Sequence, residues 1–176
     1  MPSYTHLAYR RNAKAAARNQ QIKKPKNLES LEKAREDFGY FCDYVADKPP
    51  AFHHQEWNRK FVTNQDSSCL IKIAGPNIDL LAPRGSAKST VLGLLTAWAI
   101  GVHTQAGLPL QVLYLSYTVD IARSKSATIK RIIESKRYQE VFPKVRLLKN
   151  VTSNEYWSID HKFAGIDTTG EEQFTL

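Results

Sequence analysis

The residues best suited to chemistry lie in one run: Ala82, Pro83, Arg84, Gly85, Ser86, Ala87, Lys88, Ser89 and Thr90. The pattern that cradles a nucleotide's phosphates is Gly, four residues, Gly, Lys, then Ser or Thr. Lys88 and Ser89 match it, and Ala82 and Ala87 stand where the two glycines would be. The chemistry has three requirements. Successive backbone N–H groups must turn inward onto phosphate oxygens. A helix N-terminus must point at the same anion. A lysine must reach the β- and γ-phosphates while a hydroxyl holds magnesium. The run from Arg84 to Ser89 can supply all three. Gly85 and Ser86 are small enough for backbone to approach a ligand, and the alanines carry the smallest of side chains. A guanidinium at Arg84 is a fixed, bidentate phosphate donor.

Other reactive residue types carry less. His53 and His54 are adjacent, but no cysteine or further histidine stands at a metal-ligand spacing from them. Cys42 and Cys69 sit in apolar surroundings and read as reduced core residues of a cytosolic protein. Hydrolysis of a bound nucleotide needs an acid on magnesium and a second acid to orient water. Asp160 follows Tyr-Trp-Ser-Ile, and Glu171 and Glu172 follow Thr-Thr-Gly. Neither place looks like the end of a buried apolar strand. Arg123, Lys125, Lys130 and Arg131 lie on one helical segment, with Arg123 and Lys130 sharing a face opposite Ile129, Ile132 and Ile133. That face reads as either an ordinary wet surface or an edge turned to DNA.

Elements to position these groups follow from hydrophobic period. Leu31, Ala34, Phe38, Phe41 and Val45 recur at helical steps, so residues 31–45 are expected to form one helix, with Ser30 as its cap. Pro49 and Pro50 end it, and residues 54–62 suggest a short second helix. Strands are expected at 69–74, 78–82 and 111–116, with weaker candidates at 145–148, 156–159 and 174–176. Helices are expected from Lys88 to about Val102 and over 119–136. Strand, loop, helix, strand, helix is the order of a parallel sheet with crossover helices.

Charge places one more segment. The chain of 176 residues has a formal net charge of +8. Arg10, Arg11, Lys14, Arg18, Lys23, Lys24 and Lys26 all precede residue 27, and no acid does. Residues 1–27 therefore read as a basic flexible arm, which touches either solvent alone or phosphates and acidic partners. The rest divides into a helical segment, 28–65, and a core, 66–176. No apolar run reaches the length of about eighteen residues that would suggest a membrane span.

The stretch LLAPRGSAKST, residues 80–90, resembles the variant Walker A loops of phage terminase large subunits, including the early arginine. VLYLSYTVDIARSKSATIKRIIES, residues 112–135, is similar to the strand and helix that follow in that family. PPAFHHQEWNRKF, residues 49–61, resembles the segment that precedes their ATPase core. The resemblance implies a P-loop NTPase of the additional-strand class, α/β, with an incomplete parallel sheet flanked by helices. It implies ATP and magnesium as cofactors. By position Lys88 would bind the β- and γ-phosphates, Ser89 would ligate magnesium, and Arg84 would sense the γ-phosphate. Thr90 would assist, and Gln55 would contact adenine. Implied partners are double-stranded DNA, a portal protein, a small terminase subunit and further copies of the chain, in the host cytoplasm.

That family also carries the two acids named above and a C-terminal nuclease domain, neither of which is seen in this sequence. The chain is therefore expected to be a fragment that binds ATP without turning it over. Another P-loop enzyme, such as a small kinase, and an inactive prophage remnant are the competing readings.

Overall fold

A computed structural model of the chain describes residues 28–61, 63–64, 71–72 and 79–166. The basic arm and the strand candidate at 174–176 lie outside the described residues. Contacts divide the chain between Ser30 and Leu31, and the core described here belongs to the unit from Leu31 onward.

The helical run near the start is two helices rather than one, α1 (Leu28–Glu36) and α2 (Phe38–Ala46). Ser30 lies inside α1 and is not its cap. The break is Asp37, whose extended backbone (φ −114°, ψ 113°) lets its carboxylate accept the Tyr40 N–H at 2.6 Å. Its own N–H still donates to the Lys33 carbonyl at 2.8 Å. One residue thus closes α1 and caps α2, which a count of apolar spacing does not register. After Pro49 and Pro50 comes α3 (Phe52–Phe61), and then two short strands, β1 (Thr63–Asn64) and β2 (Ile71–Lys72).

The loop run leads into α4 (Lys88–Gln105), which is buried around most of its circumference. A helix apolar all round must be enclosed by its neighbours. Here α2 and two later helices, α5 (Val119–Glu134) and α6 (Lys136–Val141), pack with it. Ser135 separates α5 from α6 and caps the latter, its hydroxyl accepting the Tyr138 N–H at 3.3 Å. Strands β3 (Leu147–Thr152) and β4 (Trp157–Ile159) then form a hairpin, followed by α7 (His161–Ala164).

The centre of the core is aromatic. Phe41, Tyr138 and Phe142 are fully buried in mutual contact, and Trp98 packs on Phe38. The polar ends of the buried Trp98 and Tyr138 are satisfied: the Trp98 indole donates to the Ala34 carbonyl at 3.0 Å, and the Tyr138 hydroxyl to the Ala97 carbonyl at 2.8 Å. The side-chain amide of Gln139 donates to both Ile133 and Val145 carbonyls, at 2.8 and 2.9 Å, tying the end of α5 to the turn after α6.

The parallel sheet flanked by helices, the additional-strand P-loop architecture expected above, is overturned. Among the described residues the sheets are two antiparallel pairs, β1 with β2 and β3 with β4. Residues 79–82 and 111–116 are in neither, so no parallel ladder forms between them. Their apolar side chains are not a sheet's buried face: Leu81 is 96% exposed, Leu113 83% and Leu115 80%. The physical reason is that a strand exists only with a ladder partner. The apolar surface that a parallel sheet would cover is covered instead by helix on helix.

Candidate functional site

The phosphate-type loop joins residues 79–83 to α4 through a tight turn at Arg84 and Gly85. The Ser86 N–H closes it onto the Pro83 carbonyl at 3.4 Å. Gly85 has φ 85°, and a Cβ built there would meet nothing within 4 Å. Its positive φ, not crowding, is what favours glycine. Ala87 also takes the left-handed region, at φ 55°. For a residue with a Cβ this costs about 1–2 kcal/mol. Ala87 is the N-cap of α4 and provides no side-chain cap, while its carbonyl accepts the Thr90 and Val91 N–H groups at 2.9 and 3.0 Å. The first amides of α4 have no carbonyl one turn back to bond, so the helix begins with donors and partial positive charge directed out of its end.

Side chains complete this geometry. The Lys88 ammonium folds back across the loop and donates to the Ala82 carbonyl at 2.8 Å. Position 82, where the pattern has its first glycine, is thus in direct contact with the lysine. The Ser86 hydroxyl oxygen is shut off from solvent with no hydrogen-bond partner. A bound oxyanion or an ordered water would satisfy it. Arg84, Ser89 and Thr90 are exposed on and beside the loop. The residues present therefore fit a bound phosphate group: amide donors, an ammonium, a guanidinium and hydroxyls lie within one short run. Magnesium held by Ser89 would take its remaining ligands from phosphate and water, as that ion commonly does.

Gln55, expected at the adenine, lies exposed on α3 and donates to the Pro50 carbonyl of its own segment at 3.4 Å. The residue of α3 that reaches the loop is its neighbour His54, whose Nε2 is 2.8 Å from the Ser86 carbonyl oxygen. From the sequence, His54 stands out only as half of the adjacent pair with His53. The one signal that could have marked it is its place three residues after Ala51, at the first turn of a helix that follows Pro-Pro. His53, His54 and Trp57 form a ring cluster, with centroids 4.0 Å apart for the two imidazoles and 5.1 Å from each to the indole.

The acids sort differently. The Asp160 carboxylate caps α7, accepting the Phe163 N–H at 3.1 Å. Glu171 and Glu172 lie outside the described residues. Two of the four basic residues of α5 meet the hairpin: Arg123 pairs with Glu155, and with Asp120 on its own helix, and the Lys130 ammonium donates to the Ser153 carbonyl at 3.5 Å, while Arg131 is exposed and bonds within α5 to Ala127 and Thr128. Among the described residues no helix is long and apolar enough to cross a membrane. Comparison with protein-family models, with curated proteins and with solved structures finds no match to this chain.

Proposed function

We propose that the chain binds ATP with magnesium through Arg84–Thr90 and serves as the nucleotide-binding portion of a viral DNA-packaging motor. The observation that carries the binding step is the pairing of Lys88 with Ala82 across a loop that ends in a left-handed residue at a helix start. An ammonium resting on a carbonyl has a partner that a phosphate can replace with a stronger, charge-assisted one. The cradle is local to residues 82–90 and does not depend on the order of strands in a sheet. On this reading Lys88 binds the β- and γ-phosphates, Ser89 the magnesium, and Arg84 the γ-phosphate. The backbone of Gly85, Ser86 and Ala87 lines the cradle. Thr90 assists, and Gln55 meets the adenine. The packaging role, with DNA, portal and small subunit as partners, rests on the resemblance of residues 80–90 and 112–135 to terminases.

The test is a titration of the chain with magnesium-ATP beside Lys88→Ala. Loss of a charge-assisted hydrogen bond typically costs about 1.5–3 kcal/mol, so the variant should bind roughly tenfold to a hundredfold more weakly. Equal affinities would remove Lys88 from the site and the reading with it.

A further inference from the structure

We infer that His54 is the positioning residue of the phosphate loop, a latch on α3 that fixes the direction of the Ala87 amide before ligand arrives. The inference rests on the ATP-binding reading above.

His54 is the third residue of α3, and its Nδ1 accepts the N–H of Ala51, the residue before that helix, at 3.1 Å. This is the half of a capping box in which the third helical residue reaches back to the cap's own amide, with imidazole in place of the usual Glu or Gln. The contact settles the tautomer. A nitrogen that accepts from a backbone N–H carries no proton, so in the neutral ring the proton is on Nε2. Nε2–H therefore donates to the Ser86 carbonyl, 2.8 Å away.

The consequence falls on the next amide. Among the described residues no peptide bond is cis, and across a trans peptide the C=O and N–H point in opposite directions. Holding the Ser86 carbonyl toward α3 turns the Ala87 N–H away from it, at the start of α4. Ala87 has φ 55°, a region that a residue with a Cβ leaves readily unless its surroundings hold it. Ala87 has no side-chain cap, and the imidazole supplies the restraint from outside the loop. A loop held ready loses less freedom when phosphate binds. In a glycine-containing loop the left-handed residue would need less such help, so an alanine at 87 and a latch at 54 belong together.

Two variants separate the latch from the helix cap. His54→Gln can accept from Ala51 and still donate to Ser86. His54→Asn keeps an acceptor near the Nδ1 position and is too short to reach Ser86. The ring nitrogens of His54 are read by 15N NMR without nucleotide, melting temperatures are recorded, and affinity for magnesium-ATP is titrated. We expect the Nε2–H tautomer, wild-type-like affinity in Gln, and in Asn a near-native melting temperature with affinity about tenfold weaker. That figure corresponds to a competent loop population reduced to about one tenth. A proton on Nδ1, or undiminished ATP affinity in Asn, overturns the latch while leaving ATP binding intact. A wild-type chain with the stated tautomer and no affinity for ATP overturns the nucleotide reading, and the role of the latch with it.

Discussion

A methyl group added at position 101 has no room. Gly101 lies inside α4, where alanine is ordinarily better than glycine by about 1 kcal/mol. Yet an ideal Cβ there would lie 2.4 Å from Cδ2 of Phe142, a ring fully buried against Phe41 and Tyr138. Overpacking of this kind costs about 1–3 kcal/mol, so Gly101→Ala should lower stability in chemical denaturation. Gly93, in the same helix, is the control. Its added Cβ would sit 3.8 Å from Ile129, an ordinary contact, so Gly93→Ala should be neutral or stabilising by up to about 1 kcal/mol. Opposite signs for two glycines of one helix would confirm that Phe142 decides the matter, and a tolerated Gly101→Ala would refute it. Cys42 makes a second prediction. Burial, and after it the nearby Asp37, pushes its thiol from 9.0 up to about 12. The folded state thus favours the neutral thiol, and this group's contribution is full below pH 9.0 and lost as pH rises toward about 12. Across that window it should lower unfolding free energy by about 1.4 kcal/mol per pH unit. Cys42→Ala should flatten the alkaline slope by that amount, with Tyr44 and Tyr138, also raised, contributing equally to both chains. Lys88 and Ser89 stand out in the sequence as candidates because the phosphate-loop pattern is written in spacing along one segment. His54 does not, because its role lies in two hydrogen bonds, one of them across thirty-two positions.

Helices were the legible elements, since a helix satisfies its backbone within itself and needs only one periodic face. The start of α4 at Lys88 was read to the residue, and α3 and α5 nearly so. Breaks were the harder matter. Asp37 and Ser135 each interrupt an apolar period that runs on unchanged, and each does so with a side chain bonded to the amide three residues later. Removing such a cap typically costs about 1 kcal/mol. Asp37→Ala should therefore lower the melting temperature by about 2–4 °C, and Asp37→Asn, which can still accept the Tyr40 N–H, should largely restore it. If Asn and Ala behave alike, the charge of Asp37 and not its capping bond is what matters. Strands do form within the candidates at 69–74, 145–148 and 156–159, but the two expected to build the parallel sheet, 78–82 and 111–116, were misread for the converse reason. A ladder is made by two segments distant in sequence, and VLYLS at 112–116 has every local property of a buried strand while lying exposed. Asp160 is a similar case at the end of β4. It follows a short strand, Trp157–Ile159, that is only half-buried, and it is used as the cap of α7. Asp160→Asn, which preserves that cap, should leave ATP affinity unchanged.

Over the whole molecule, charge is distributed in a way that separates two basic surfaces, residues 1–26 and the row on α5. Residues 1–26 carry seven basic side chains and no acid, so removing them takes the formal charge from +8 to +1. The row on α5 looked like the alternative basic surface. Its Arg123 is engaged with Glu155 and Asp120, its Lys130 with the hairpin carbonyl of Ser153, and its Arg131 with Ala127 and Thr128 of its own helix. A cation already paired with a carboxylate releases little when a phosphate approaches, because one ion pair is exchanged for another. If the chain binds double-stranded DNA, as the packaging reading requires, its salt dependence should therefore reside in residues 1–26. Each phosphate neutralised contributes about −0.9 to the slope of log affinity against log salt, so seven cations set a ceiling near −6 for duplex DNA. Deleting residues 1–26 should remove most of the measured slope. Arg123→Ala should change it by less than the roughly one unit that a single phosphate contact contributes. Fluorescence anisotropy of a labelled duplex across a salt series, with no sequence preference expected, reads both slopes. A slope that survives the deletion and falls by about one unit in Arg123→Ala would move the DNA contact to α5.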